Sequence, residues 1–167
     1  MANPYTQLYI QFVFAVKARE ALIKKEWKDD LYKYITGIVQ QKKSKMLSIN
    51  GMPDHIHIFI GYKPTVPIPD LVKDIKVASG LWIKENKLSK FKFNWQEGYS
   101  AFSYSQSHID VVCKYIQNQE LHHKKKTFRQ EYLELLKKFQ IEYQEKYLFD
   151  FFEMFNSYGV DGNVMLC

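Results

Sequence analysis

Two histidines, His55 and His57, stand one residue apart in the stretch Asn50 to Gly61, NGMPDHIHIFIG, with Asp54 directly before them. Side chains alternate across a strand, so both imidazoles share one face and Ile56, Ile58 and Ile60 share the other. Two imidazoles at i and i+2 can converge on one metal ion. The same pair also occurs as surface or hydrogen-bonded structural histidines. Asp54 is placed to orient His55 by a hydrogen bond, as acids beside ligating imidazoles do. Alternatively it is a plain turn residue after Pro53.

The second constellation is Val111 to Lys126, VVCKYIQNQELHHKKK. Ile109, Val112, Cys113 and Ile116 fall at helical spacing and read as its buried stripe. Tyr115 and Gln119, at i and i+4, are neighbours on one helix face. The bland alternative is an amphipathic helix with a half-buried Tyr and a solvated Gln. Taken together, His55 and His57 offer two nitrogens and Gln119 a carbonyl oxygen. That mixed set suits Mg²⁺ or Mn²⁺ better than a closed zinc site. A phenol one helical turn from a metal that holds a phosphate oxygen is a nucleophile for phosphoryl transfer. His122 and His123 compete with Gln119 as ligands.

These residues need a frame. Tyr5–Lys17 is aromatic and β-branched and reads as a strand. Lys24–Lys43 has apolar residues at helical spacing. Met46–Met52 and Asp54–Tyr62 read as strands joined by the turn Met52-Pro53-Asp54. Pro67–Glu85 reads as a helix, Gly98–Ser105 as a strand, and Ser107–His123 as a helix capped by Ser107. Thr127–Lys146 reads as a last helix with Phe128, Tyr132, Leu135, Leu136 and Phe139 on its stripe. The order is the split βαβ pattern of an α+β, ferredoxin-like (RRM-like) antiparallel four-stranded sheet. Two helices cover one face, and the histidine face is open or covered by later helices. We place a domain at 1–147, with the tyrosine helix at about 107–123, and a tail at 148–167 without assigned structure.

Composition is consistent with one folded domain: 167 residues, 46% hydrophobic and 16% aromatic. No apolar run is long enough to span a membrane. No secretory signal is visible, and Cys113 and Cys167 are too few for a disulfide framework. A reducing cytoplasm is the expected location. Lys and Arg number 24 against 18 acids, a net +6, which favours a polyanionic partner such as nucleic acid. Phosphate candidates are Lys73, Lys76 and Lys84 on the second helix, Lys90 in the following loop, and Lys124, Lys125, Lys126 and Arg129 after the tyrosine helix. Tyr99, Phe102 and Tyr104 can stack on bases or pack in the core.

Three specific motifs in order, MPDHIHIFI, then WQEGYSAFSYS, then YIQNQ, resemble the single-tyrosine HUH transposases of the insertion-sequence-200/605 type, over about Tyr5 to Tyr147. HUH denotes histidine, bulky apolar residue, histidine, here His55, Ile56 and His57. The resemblance implies metal ligands at His55, His57 and Gln119 and a nucleophile at Tyr115. It further implies a homodimer that binds hairpins at element ends and cuts single-stranded DNA with a divalent metal, Mg²⁺ or Mn²⁺. The tyrosine attacks the scissile phosphate, leaving a 5′-phosphotyrosine and a free 3′-hydroxyl that later rejoins strands. In that family the tyrosine helix can serve the partner's histidines, and Ser103–Ser107 offers a polar joint for it here. Two other classes remain open to the residues alone. One is a non-catalytic nucleic-acid-binding module on an RRM-like sheet. The other is a metal-dependent phosphodiesterase that uses water, with Tyr115 structural.

Overall fold

The structure, a computed structural model, describes residues 4–152. Cys167 and most of the tail assigned to 148–167 lie outside the described residues. Strand β1 spans Tyr9–Ala15, α1 Lys25–Gln41, β2 Lys45–Met52, β3 His55–Gly61, α2 Ile68–Glu85 and β4 Ser100–Tyr104. Helices α3 (Ile109–Gln117), α4 (Gln119–His122) and α5 (Phe128–Lys138) follow. The four strands form one antiparallel sheet in the order β2-β3-β1-β4. This is the α+β, ferredoxin-like arrangement, with the histidine strand β3 in the interior of the sheet.

Strand parity sorts the two faces. Ile10, Phe12 and Phe14 of β1 and Ile56, Ile58 and Ile60 of β3 are all buried with Leu31, Ile35, Leu71, Ile75 and Ile83 of the first two helices. The spacing of those helical residues gives each helix one apolar stripe, and the sheet is where the stripes go. Alternate residues, among them Gln11, His55, His57 and Phe59, project to the opposite face and are also fully buried. That face is therefore closed rather than open. Phe59 packs with Val112 and Ile116 of α3, and Phe128 of α5 lies flat on the His55 ring at 3.7 Å.

The β2–β3 hairpin is fixed at several points. Met52 pairs with His55 across a two-residue turn. Pro53 O accepts from Ile23 N at 2.9 Å and Asp54 O from Val16 N at 2.8 Å. Gly51 is required here: a Cβ on it would stand 2.2 Å from His55 O.

The C-terminal half departs from its sequence expectation in three ways. The expected single helix Ser107–His123 begins as a 3-10 turn and breaks at Asn118, between α3 and α4. Ser107 caps neither piece; its hydroxyl meets Ser105 Oγ and His108 Nδ1 instead. The last helix stops at Lys138 rather than Lys146, because Gln140 takes a left-handed conformation, φ 53°. Beyond it, Phe149 is buried against Phe128 and Tyr132. Gln96 and Asp150 exchange two hydrogen bonds of 2.8 Å. Among the described residues, no helix is long and apolar enough to cross a membrane.

Candidate metal and nucleophile site

Helix α3 runs across β2 and β3 and is tied there. Asn50 Nδ2 donates to Gln117 O at 3.1 Å and Gln117 Nε2 to Ser48 Oγ at 2.9 Å. This docking brings the edge of Tyr115 to His57, with ring centroids 5.9 Å apart, and within one chain. The break at Asn118 turns Gln119 inward, so that it is fully buried. Tyr115, Val112, His122, Glu131 and Lys138 line a cavity of about 210 Å³ through which the tyrosine is reached.

A residue that sequence reasoning missed stands at the centre. Glu131 of α5 is 2% exposed. Its Oε1 lies 3.3 Å from His57 Nε2, and its Oε2 lies 3.4 Å from His55 Nε2 and 2.7 Å from His123 Nε2. Gln119 Nε2 donates to Glu131 Oε1 at 2.9 Å, and the Tyr115 hydroxyl donates to the same oxygen. His55, His57 and Glu131 each offer a ligand atom, all within 4.8 Å of one another. A signal for Glu131 was present. Phe128, Tyr132, Leu135 and Leu136 mark the buried stripe of α5, and an acid at 131 falls on that same stripe.

The proton arrangement tests whether these residues suit a cation. His55 Nδ1 lies 2.7 Å from Asp54 Oδ1, and His123 Nδ1 lies 3.0 Å from Lys126 O. Both oxygens accept, so both Nδ1 atoms carry the proton. The two Nε2 atoms then face the oxygens of Gln119 and Glu131, at 3.1–3.3 Å to Gln119 Oε1. Neither His57 Nε2 nor Glu131 Oε2 finds an aligned hydrogen bond, despite its close neighbours. Nitrogen lone pairs aimed at oxygens are satisfied by an added proton or by a metal ion. The set fits a divalent metal.

The electrostatics agree. Burial pulls His57 below its ordinary range, Glu131 opposing, so it is neutral and able to ligate at pH 7. Burial acts the same way on His55, but Asp54 and then Glu131 outweigh it and lift His55 to about 9, so at pH 7 its Nε2 carries a proton that a bound cation would displace. Burial also raises Glu131, yet the three imidazoles prevail and hold it far below the usual carboxylate range. Burial and Glu131 push the Tyr115 phenol far above its ordinary value.

The remaining sequence candidates are scattered. Lys73, Lys84, Lys90, Lys124 and Lys125 are exposed. Lys76 donates to Gln96 O and Gly98 O and lies over the Phe14 ring. Lys126 pairs with Glu134, and Arg129 with Glu145 at 3.0 Å. Lys124, Lys125 and Lys126 edge a cavity of about 180 Å³ that also touches Asp54 and His123. Phe102 is buried against Phe139, and Tyr104 packs on Phe59.

A family model described as "Transposase IS200 like" matches residues 4–119, well over half of the chain. The chain belongs to the IS200-like transposase family. It is thus a transposase, a DNA-processing enzyme. The ISDra2 transposase TnpA of Deinococcus radiodurans is 27% identical over 118 residues, 68% of this chain and 84% of that protein. A crystal structure of a transposase from Deinococcus radiodurans shares 25% identity and a TM-score of 0.55, covering 71% of this chain and 96% of the other. A REP-associated tyrosine transposase bound to a REP hairpin superposes with a TM-score of 0.54 at 13% identity, covering 74% and 73%. That last likeness is one of fold. Glu131 lies beyond the family-matched span.

Proposed function

We propose that this transposase cuts and rejoins single-stranded DNA through a 5′-phosphotyrosine on Tyr115. The observation that carries the reading is the single oxygen Glu131 Oε1, which receives the Tyr115 hydroxyl and also faces His57 Nε2. Nucleophile and donor set therefore meet at one point. His55, His57 and Glu131 hold the divalent metal, Mg²⁺ or Mn²⁺, with the Gln119 carbonyl oxygen beside them. When bound, that ion neutralises the non-bridging phosphate oxygens and lowers the barrier to attack.

The chain's own residues set the rest. Burial keeps Tyr115 neutral until it reacts, so its proton leaves during attack. The tyrosine oxygen bonds to phosphorus, and the bond from phosphorus to the 3′-oxygen breaks. The released 3′-hydroxyl takes up one proton. One phosphate ester replaces another, so rejoining by a 3′-hydroxyl requires no nucleotide. Substrate is a single strand marked by a hairpin, held by the exposed lysines along α2 and after α4, and the working unit is a homodimer. The catalytic domain spans 1–147, with Phe149 and Asp150 packed onto it.

Labelled single-stranded DNA from the flanks of the chain's own gene tests this. A covalent adduct is expected on the peptide containing Tyr115, through a 5′-phosphate. An adduct on Tyr99, Tyr104 or Tyr132 would assign a different nucleophile. Release of a 5′-phosphate with no adduct at any time would assign hydrolysis by water instead.

A further inference from the structure

One fully buried polar side chain beside the site has no part in the chemistry above. Gln11, on β1, places its terminal amide 2.9 Å from His57 Nδ1 and 2.8 Å from the Tyr104 hydroxyl. A side-chain amide presents nearly the same outline in two orientations half a turn apart. In one, Gln11 Nε2 donates to His57 Nδ1 and Tyr104 donates to Gln11 Oε1. A neutral His57 then carries its proton on Nε2, facing Glu131 Oε1 at 3.3 Å. In the other, His57 Nδ1–H donates to Gln11 Oε1 and Gln11 Nε2 donates to the Tyr104 oxygen. His57 Nε2 is then a bare lone pair aimed at Glu131. Both orientations keep both hydrogen bonds, because a tyrosine hydroxyl donates or accepts.

We infer that Gln11 is a positioning residue whose amide selects the tautomer of His57, donating to Nδ1 in the ion-free protein and accepting from Nδ1–H when an ion is held. One proton moves from Nε2 to Nδ1, and none is gained or lost. A ligating imidazole needs its other nitrogen to donate to such an acceptor, and loss of that acceptor weakens metal binding. For His55 the fixed acceptor is Asp54. For His57 it is an amide that serves either state.

The inference rests on His57 being a metal ligand, and its test separates the two. Ring ¹⁵N NMR of the full chain, with and without Mg²⁺, is expected to show His57 protonated on Nε2 in the free protein and on Nδ1 with the ion. Mn²⁺ titration by calorimetry is expected to show Gln11→Leu about 10–100-fold weaker than wild type. Gln11→Glu, an acceptor only, is expected to bind at least as tightly as wild type and to show the Nδ1–H tautomer without any ion. An unchanged tautomer, or wild-type affinity in Gln11→Leu, would overturn the inference alone. A wild-type chain that binds neither Mg²⁺ nor Mn²⁺ would overturn it together with the metal reading. If a variant does not fold, the wild-type NMR comparison decides.

Discussion

The hydroxyl of Tyr115 donates to Glu131, a residue sixteen positions further along the chain. The contact joins α3 to α5 directly above β3, and it sets a carboxylate against the one tyrosine that sits a helical turn before Gln119. The ligand set read from the sequence, His55, His57 and Gln119, carries no charge. A carboxylate within reach of both Nε2 atoms makes tighter binding the expectation.

Glu131→Gln keeps the shape of the side chain and removes its charge. Mn²⁺ affinity, measured by calorimetry, is expected to fall at least about tenfold. Unchanged affinity would remove Glu131 from the ligand set.

Tyr115→Phe removes one oxygen and keeps the ring against His57. Strand cleavage and adduct are expected to fall to background. The thermal midpoint is expected to move by no more than about 12 °C, the scale of one hydrogen bond to a charged group in a chain of this size. Residual adduct would point to another tyrosine.

Thr127 caps α5. Its hydroxyl accepts from Gln130 N at 3.2 Å, and Gln130 Oε1 accepts from Thr127 N at 3.0 Å. This capping box fixes the first turn, on which Glu131 rides. Thr127→Ala is expected to cost about 1 kcal/mol, seen as a lower midpoint in chemical denaturation, and to weaken Mn²⁺ binding. Thr127→Ser is expected to restore both. Failure of the serine to restore binding would mean that the cap does not position Glu131.

Burial pulls the Lys76 ammonium down to about 8, Glu97 opposing, against 10.5 for a free lysine. Below pH 8 both folded and unfolded chains hold the proton, so the cost of burying the charge is fully present. Between pH 8 and 10.5 the unfolded chain binds more protons, so the contribution of Lys76 to stability rises with pH. The stability of wild type relative to Lys76→Met is therefore expected to increase from pH 7.5 to 10. A decrease would show that the carbonyls of Gln96 and Gly98, which accept from the ammonium, outweigh its burial.

Ser48 and Asn50 tie α3 to β2 of the same chain. Mixed dimers of His57→Ala and Tyr115→Phe subunits are therefore expected to stay inactive, each site being built within one chain. Recovered cleavage in proven mixed dimers would show that the tyrosine helix crosses to the partner.

Much of this was legible in the sequence. The alternation of Ile56, Ile58 and Ile60 with His55 and His57 gave the strand its two faces, because a period of two leaves no other choice. The i, i+4 spacing of Tyr115 and Gln119 placed them on one side of a helix. The sequence did not disclose the break at Asn118, which has no Pro or Gly to mark it, nor that Ser107 does not cap. Glu131 stayed hidden for a different reason. Its partners are 8 to 76 residues away, and a carboxylate on an apolar stripe reads as an exception until the helix is docked. Gln11 was equally silent, as one polar residue in a strand of aromatic and aliphatic neighbours.

The family-matched span ends at residue 119, and the carboxylate comes from residue 131. The cluster of His55, His57 and Glu131 thus draws its histidines from inside the matched span and its carboxylate from beyond it. Replacing α5 would remove the carboxylate and, with it, the Phe128 ring that lies flat on His55. The carboxylate is thus set by the same packing that buries Phe128, Tyr132, Leu135 and Leu136 in the core, so a change in that packing would reach the imidazoles as well as the acid.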